Sequence, residues 1–148
     1  MPSCETKYFG KLEYTEGAII LCEAGLPGFE HERRFLPLEM PEHKPLVFIQ
    51  SLSTPGLCFV ALPVLGIDPA YRLELSKQDL AALGFESQPV IGTDVLCLAL
   101  ITITETNTTA NLLAPLVVNI KTGRSVQAID PESRYSHQHS LDPEAPAC

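Results

Sequence analysis

The stretch Val95-Leu96-Cys97-Leu98-Ala99-Leu100-Ile101-Thr102-Ile103-Thr104 decides the fold. Its second half sets Ile101 and Ile103 against Thr102 and Thr104, the period of a strand with one wet face. Its first half is apolar at every position, which suits a strand crossing a core with both faces covered. Short apolar runs recur on either side. Strands are expected at residues 7–14, 18–22, 35–38, 46–52, 57–62, 71–75, 95–104, 116–120 and 126–129, most of them bounded by Gly, Pro, Asn or Asp. One segment reads as helix. Ser76-Lys77-Gln78-Asp79-Leu80-Ala81-Ala82-Leu83-Gly84 opens on a capping residue, carries an acid three positions on and closes on Gly. So short a helix must lean on a sheet, through Leu80 and Leu83. Many short strands at about 8–12-residue spacing predict an all-β fold, a compact antiparallel β-barrel-like or sandwich domain with one short helix. No repeat or linker divides the chain. Residues 1–139 read as a single domain and residues 140–148 as a flexible acidic tail.

The chain has 148 residues, 45% of them hydrophobic, with 13 Pro, 5 Cys and no Trp. That apolar fraction is too high for a disordered chain, and the length suits one domain with a core of its own. Ten Lys and Arg stand against 18 Asp and Glu, for a formal net charge of -8. The charge is -4 over residues 1–42, -3 over 43–105 and -1 over 106–148. Direct nucleic-acid binding is disfavoured, because phosphate affinity needs a basic surface. A negative field favours basic partners. No apolar run follows a basic start, so no signal peptide is expected. The uncharged residues 45–67 include Pro45, Pro55, Gly56, Pro63 and Gln50, too many breakers and polar groups for a membrane span. They read as two buried strands and a turn. A cytoplasmic protein is expected.

A catalytic centre is hard to assemble from this sequence. Cys4, Cys22, Cys58, Cys97 and Cys148 are widely spaced, and three of them lie among apolar residues, as reduced core thiols do. Zinc sites favour close pairs, and none occurs. His137 and His139 would share a strand face, but no third ligand is indicated. Cys58 sits in an apolar strand rather than the electropositive setting a nucleophile needs. Arg33-Arg34 is flanked by Glu30 and Glu32. Gly25-Leu26-Pro27-Gly28-Phe29 has glycines but no following Lys-Ser/Thr, so it is no phosphate cradle. Lys121-Thr122-Gly123-Arg124 reads as a hairpin tip with Gly supplying a positive φ. The reading is a binding module rather than an enzyme, with no cofactor and no metal.

Several blocks point further. They are Thr6-Lys7-Tyr8-Phe9-Gly10, Glu23-Ala24-Gly25-Leu26-Pro27-Gly28-Phe29-Glu30, Phe48-Ile49-Gln50-Ser51-Leu52, Phe59-Val60-Ala61, Asp68-Pro69-Ala70-Tyr71 and Asn111-Leu112-Leu113-Ala114-Pro115-Leu116-Val117-Val118-Asn119, with Gln127 and Tyr135 after them. Over roughly residues 5–139 their order resembles the bacterial flagellar assembly factor FliW family. Cys22, Val64 and Ala110 depart from it by being smaller than the usual residue. The resemblance implies a β-barrel-like fold and a non-enzymatic regulator that binds flagellin in the cytoplasm. It further implies binding to the RNA-binding translational repressor CsrA, so that flagellin secretion is coupled to flagellin translation. The alternative is a flagellin-only export chaperone without the CsrA arm.

Physical reasoning then selects residues. Leu26, Pro27 and Phe29 lie on a Gly/Pro turn that can project apolar groups, the alternative being that Phe29 plugs one end of the fold. Glu13, Glu16, Glu30 and Glu32 are the acidic candidates for contact with a basic CsrA surface. Asn111, Asn119 and Gln50 are expected to hold backbone rather than partners.

Overall fold

The computed structural model describes residues 2–23, 25, 26, 28–130 and 132–141. The elements run β1 (Ser3–Thr6), β2 (Gly10–Glu13), β3 (Ile20–Leu21), β4 (Arg34–Glu39), β5 (Val47–Ser51), β6 (Cys58–Pro63), α1 (Val64–Ile67), α2 (Lys77–Leu83), β7 (Val95–Ile103), β8 (Thr108–Ala110), β9 (Leu116–Asn119), β10 (Ser125–Gln127) and β11 (His139–Ser140). Two single turns of 3-10 helix, Glu16–Ala18 and Pro41–His43, connect strands.

β1 and β2 form a hairpin of their own. The main sheet runs β10-β9-β7-β6-β5-β4-β3, antiparallel at every pairing along this path. β7, the expected core strand, pairs with β6 through Leu98–Leu100 and with β9 through Val95–Leu98. Its outer end, Ile101–Ile103, turns to β8, which also holds β11. The fold is sandwich-like, and the sheet does not close into a barrel ladder. Its two ends meet at one bridge between Leu21 and Arg124, where the Leu21 amide donates to Gly123 O at 2.7 Å and Ser125 Oγ to Leu21 O at 3.0 Å.

Two apolar clusters lie on opposite faces of this sheet. Register puts Ile49 opposite Phe59, Ala61 opposite Leu100 and Leu98 opposite Leu116, and these residues pack with Ile20, Cys22, Leu26, Phe35, Val47 and Val118. The other face carries Val95, Cys97, Ala99 and Val117 against Val64 of α1 and Leu83 of α2. β7 contributes to both clusters, as its doubly apolar first half predicts. α2 sits where expected. Ser76 Oγ caps it by accepting from the Asp79 amide at 3.1 Å, and Gly84 ends it at φ 87°. Among the described residues no helix is long and apolar enough to cross a membrane.

Some expected elements are redrawn. Of the strand expected at 7–14 only Gly10–Glu13 forms, as β2; residues 7–9 are the turn from β1, where Gly10 adopts φ 68° and Thr6 Oγ1 donates to Gly10 O at 2.7 Å. The segment 71–75 joins no ladder. Gln88 takes both backbone groups of Leu75, its Oε1 accepting from N at 2.9 Å and its Nε2 donating to O at 2.8 Å. Tyr135 Oη accepts from the Arg72 amide at 2.8 Å. Side chains here replace a neighbouring strand. β8, β11 and the single turn α1 carry no strong pattern in sequence. Ser140 pairs in β11 and Leu141 packs on the core, while residues 142–148 of the expected tail lie outside the described residues.

Candidate functional site

The Gly/Pro turn was expected to present Leu26, Pro27 and Phe29. Leu26 is a correction: it is 3% exposed and packs in the cluster with Phe35 and Ile49. Gly25, at φ 68°, lets the chain pass so close to Glu30 that a β-carbon would lie 2.5 Å from its Cα. The Phe29 amide donates to Leu26 O at 2.7 Å, closing the turn over the Leu26 side chain. Pro27 lies outside the described residues. Phe29 remains 41% exposed with its ring edge-on to Phe59, centroids 5.3 Å apart.

The four acids take different environments. Glu13 is exposed on β2. Glu16 is exposed and pairs with Arg34 at 3.2 Å. Glu30 is exposed, and hydrogen bonds from its own amide and that of Gly28 hold its carboxyl below the usual carboxylate range. Glu32 is half-buried. Ser51 Oγ and Thr54 Oγ1 donate to it in short hydrogen bonds, and Ser53 Oγ donates at 2.6 Å. These hydroxyls, Ser51 first, lower its pKa.

A larger feature lies elsewhere. The β1–β2 turn and the 3-10 turn Pro41–His43 border an open groove of about 550 Å³ over β5 and β6. Tyr8, Phe9, Met40, Phe48 and Val60 give it an apolar lining, and Cys58 sits at its side. Phe48 and Val60 are cross-strand partners on the face opposite the Ile49 cluster. Phe9 and His43 set their rings edge-on to Phe48, centroids 5.4 and 6.0 Å away. Tyr8 is 60% exposed at the rim, with Lys7 Nζ 5.5 Å from its ring centroid. Sequence reasoning missed this groove because its residues come from four separate segments. The signal available was Tyr8-Phe9: adjacent aromatics cannot both point inward from one strand.

Gln50 is fully buried. Its Nε2 donates to Ser51 O at 3.0 Å and Pro55 O at 3.2 Å, as expected of an internal amide. Cys22 and Cys97 are buried free thiols, and burial pushes Cys97 up to about 12, far from a thiolate at neutral pH. His139 pairs with Ala110 in β11. Among the described residues no three His, Cys, Asp or Glu side chains gather as metal ligands do.

The FliW protein family model matches residues 3–141. The chain belongs to the FliW family. The flagellar assembly factor FliW of Geobacillus sp. (strain WCH70) is 35% identical over 141 residues, 94% of each chain. That of Bacillus subtilis (strain 168) is 32% identical over 142 residues, 95% of this chain and 96% of its own. A crystal structure of the flagellar assembly factor FliW superposes with a TM-score of 0.83 at 32% identity, covering 96% of this chain and 98% of that one. The late FliW-like block, residues 111–119, together with Tyr71, Gln127 and Tyr135, turns out to be architectural. Asn111 Oδ1 accepts from the Ala114 amide at 2.9 Å and Gln127 Nε2 donates to Ala114 O at 3.0 Å, shaping the connection between β8 and β9. Asn119 Nδ2 donates to Leu83 O at 2.8 Å while its Oδ1 accepts from the Lys121 amide at 2.9 Å. Tyr71 donates to Leu112 O at 2.6 Å and stacks on Tyr135 with centroids 4.2 Å apart.

Proposed function

We propose that this member of the flagellar assembly factor FliW family binds flagellin in the cytoplasm and antagonises the RNA-binding repressor CsrA, coupling flagellin secretion to its translation. The observation that carries the reading is the full-length family match, residues 3–141. Two physical features support it. The apolar groove beside Tyr8 has the lining an amphipathic helical end of flagellin needs when it buries an apolar face outside the filament. The net charge of -8 suits CsrA, whose RNA-gripping surface must be basic. Exchange of the two partners requires only that each disfavour the other, by overlap or by a coupling of about 1–3 kcal/mol. The role is that of a binding regulator, and no catalytic step is assigned.

Size-exclusion chromatography of the purified protein with flagellin, and separately with CsrA, tests the reading. Co-elution with each is expected, and failure with both overturns it. Release of flagellin messenger RNA from CsrA on adding the protein is the second expected outcome. Flagellin binding without that release leaves the narrower role of a flagellin-only chaperone. Tyr8→Ala should weaken flagellin binding by about tenfold, the scale of an interface aromatic. Unchanged binding moves the flagellin site away from the groove.

A further inference from the structure

Glu32 satisfies the sequence criteria for a partner-binding acid, yet its carboxylate is already occupied. Both Oε2 contacts are serine hydroxyls, Ser51 and Ser53, and Oε1 takes the Thr54 hydroxyl. The three donors come from the end of β5 and the turn after it, which Ser51 Oγ also organises by accepting from the Ser53 amide at 3.2 Å and the Thr54 amide at 3.0 Å. Gln50 braces the same turn from beneath through Thr54 O and Pro55 O. On the other side, the Glu32 amide donates to Phe29 O at 2.9 Å and Arg33 O accepts from the Cys22 amide at 2.8 Å. A carboxylate with three hydroxyl donors has little left to offer a partner's lysine or arginine. It is well placed to fix one segment against another, since hydrogen bonds to an ionised group are the strong ones.

We propose that Glu32 is a positioning residue: by clasping the Ser51, Ser53 and Thr54 hydroxyls it holds residues 28–33 in one geometry and so presents Phe29 and Glu30 at the surface. The clasp is independent of which partner the protein binds. Only its consequence for binding rests on the function proposed above.

Hydrogen exchange of the full-length protein separates this role from that of a contact acid. Glu32→Ala should speed exchange at the Phe29 and Glu32 amides by about tenfold or more, the loss of at least one charge-assisted hydrogen bond. The β7 and β9 amides should keep their wild-type rates. Ser53→Ala and Thr54→Val leave every acid in place and should accelerate the same loop amides. Joining Thr54→Val to Glu32→Ala should add less than its own single effect, since both remove one contact. Unchanged loop exchange in Glu32→Ala overturns the proposal, and so does acceleration spread evenly over the core. Partner affinity gives a further readout. If CsrA or flagellin binds through this face, Thr54→Val should weaken it in parallel with Glu32→Ala. A loss with Glu32→Ala alone makes Glu32 a direct contact and overturns the positioning role. If neither partner binds the wild-type protein, the function proposed above fails while the exchange data still decide the clasp.

Discussion

At Gly123 a hydrogen atom stands where a β-carbon would meet Ile19 O at 2.3 Å, and φ is 79°. Gly28 has a similar φ of 84° with no atom of the described residues within 4 Å of the same point. The pair separates two costs that are usually entangled. Gly28→Ala should cost only the left-handed strain, about 1–2 kcal/mol. Gly123→Ala adds a clash with backbone that cannot rotate away, at the place where β3 meets the β9–β10 hairpin, and should cost at least about 1 kcal/mol more. Urea denaturation midpoints of the two variants check the order. Glu32 makes a second prediction at this scale. Its pKa is lowered in the folded protein by the Ser51, Ser53 and Thr54 hydroxyls, with a smaller contribution from His31. A lowered carboxylate pKa means the stabilisation is complete above the unfolded value, about 4.3, and is lost as pH falls through the folded value. Relative to core amides, exchange at Phe29 and Glu32 should hold steady from pH 7 to about pH 5 and rise at more acid pH. Glu30, His31 and Arg33 are the nearby ionisable side chains on the same segment and the facing hydroxyls are neutral, so Glu32→Gln should shrink the acid rise to the part that Glu30, whose carboxyl is also lowered, contributes.

α2 is the element in which sequence and structure agree most closely. Its cap, its acid at the third position and its closing glycine were all legible, because each acts on its own local backbone. Ser76→Ala removes the side-chain acceptor that caps that helix and should lower stability by about 1 kcal/mol, measured as a shift in the denaturation midpoint at constant slope. The segment 71–75 shows the opposite. Its residues suit a strand, but Gln88 and Tyr135 hold backbone groups of Leu75 and Arg72 in place of a neighbouring strand. No local pattern reports a bond to a side chain 13 or 63 residues away. The inward turn of Leu26 has the same origin. An apolar residue beside glycines can face either way, and packing with the cluster that holds Phe35 and Ile49 settled its direction.

For the molecule as a whole, the charge of -8 and the groove act over different ranges. If acids steer CsrA, its association rate should fall as salt rises, since the Debye length shrinks from about 10 Å at 0.1 M to about 3 Å at 1 M. Flagellin binding through apolar burial should change far less over that range. Stopped-flow rates at several salt concentrations measure both, and a CsrA rate independent of salt would remove the acids from the encounter.

The β class, the crossing strand at residues 95–103, the short capped helix and the excess of acid were determined by sequence alone. Period, capping chemistry and net charge are properties of neighbouring residues or of simple sums. Which face each apolar residue took, the engagement of Glu32, the burial of Leu26 and the existence of the groove beside Tyr8 were decided by tertiary structure. Each depends on segments distant in sequence meeting across a curved sheet, where space and unpaired donors, rather than local preference, set the outcome.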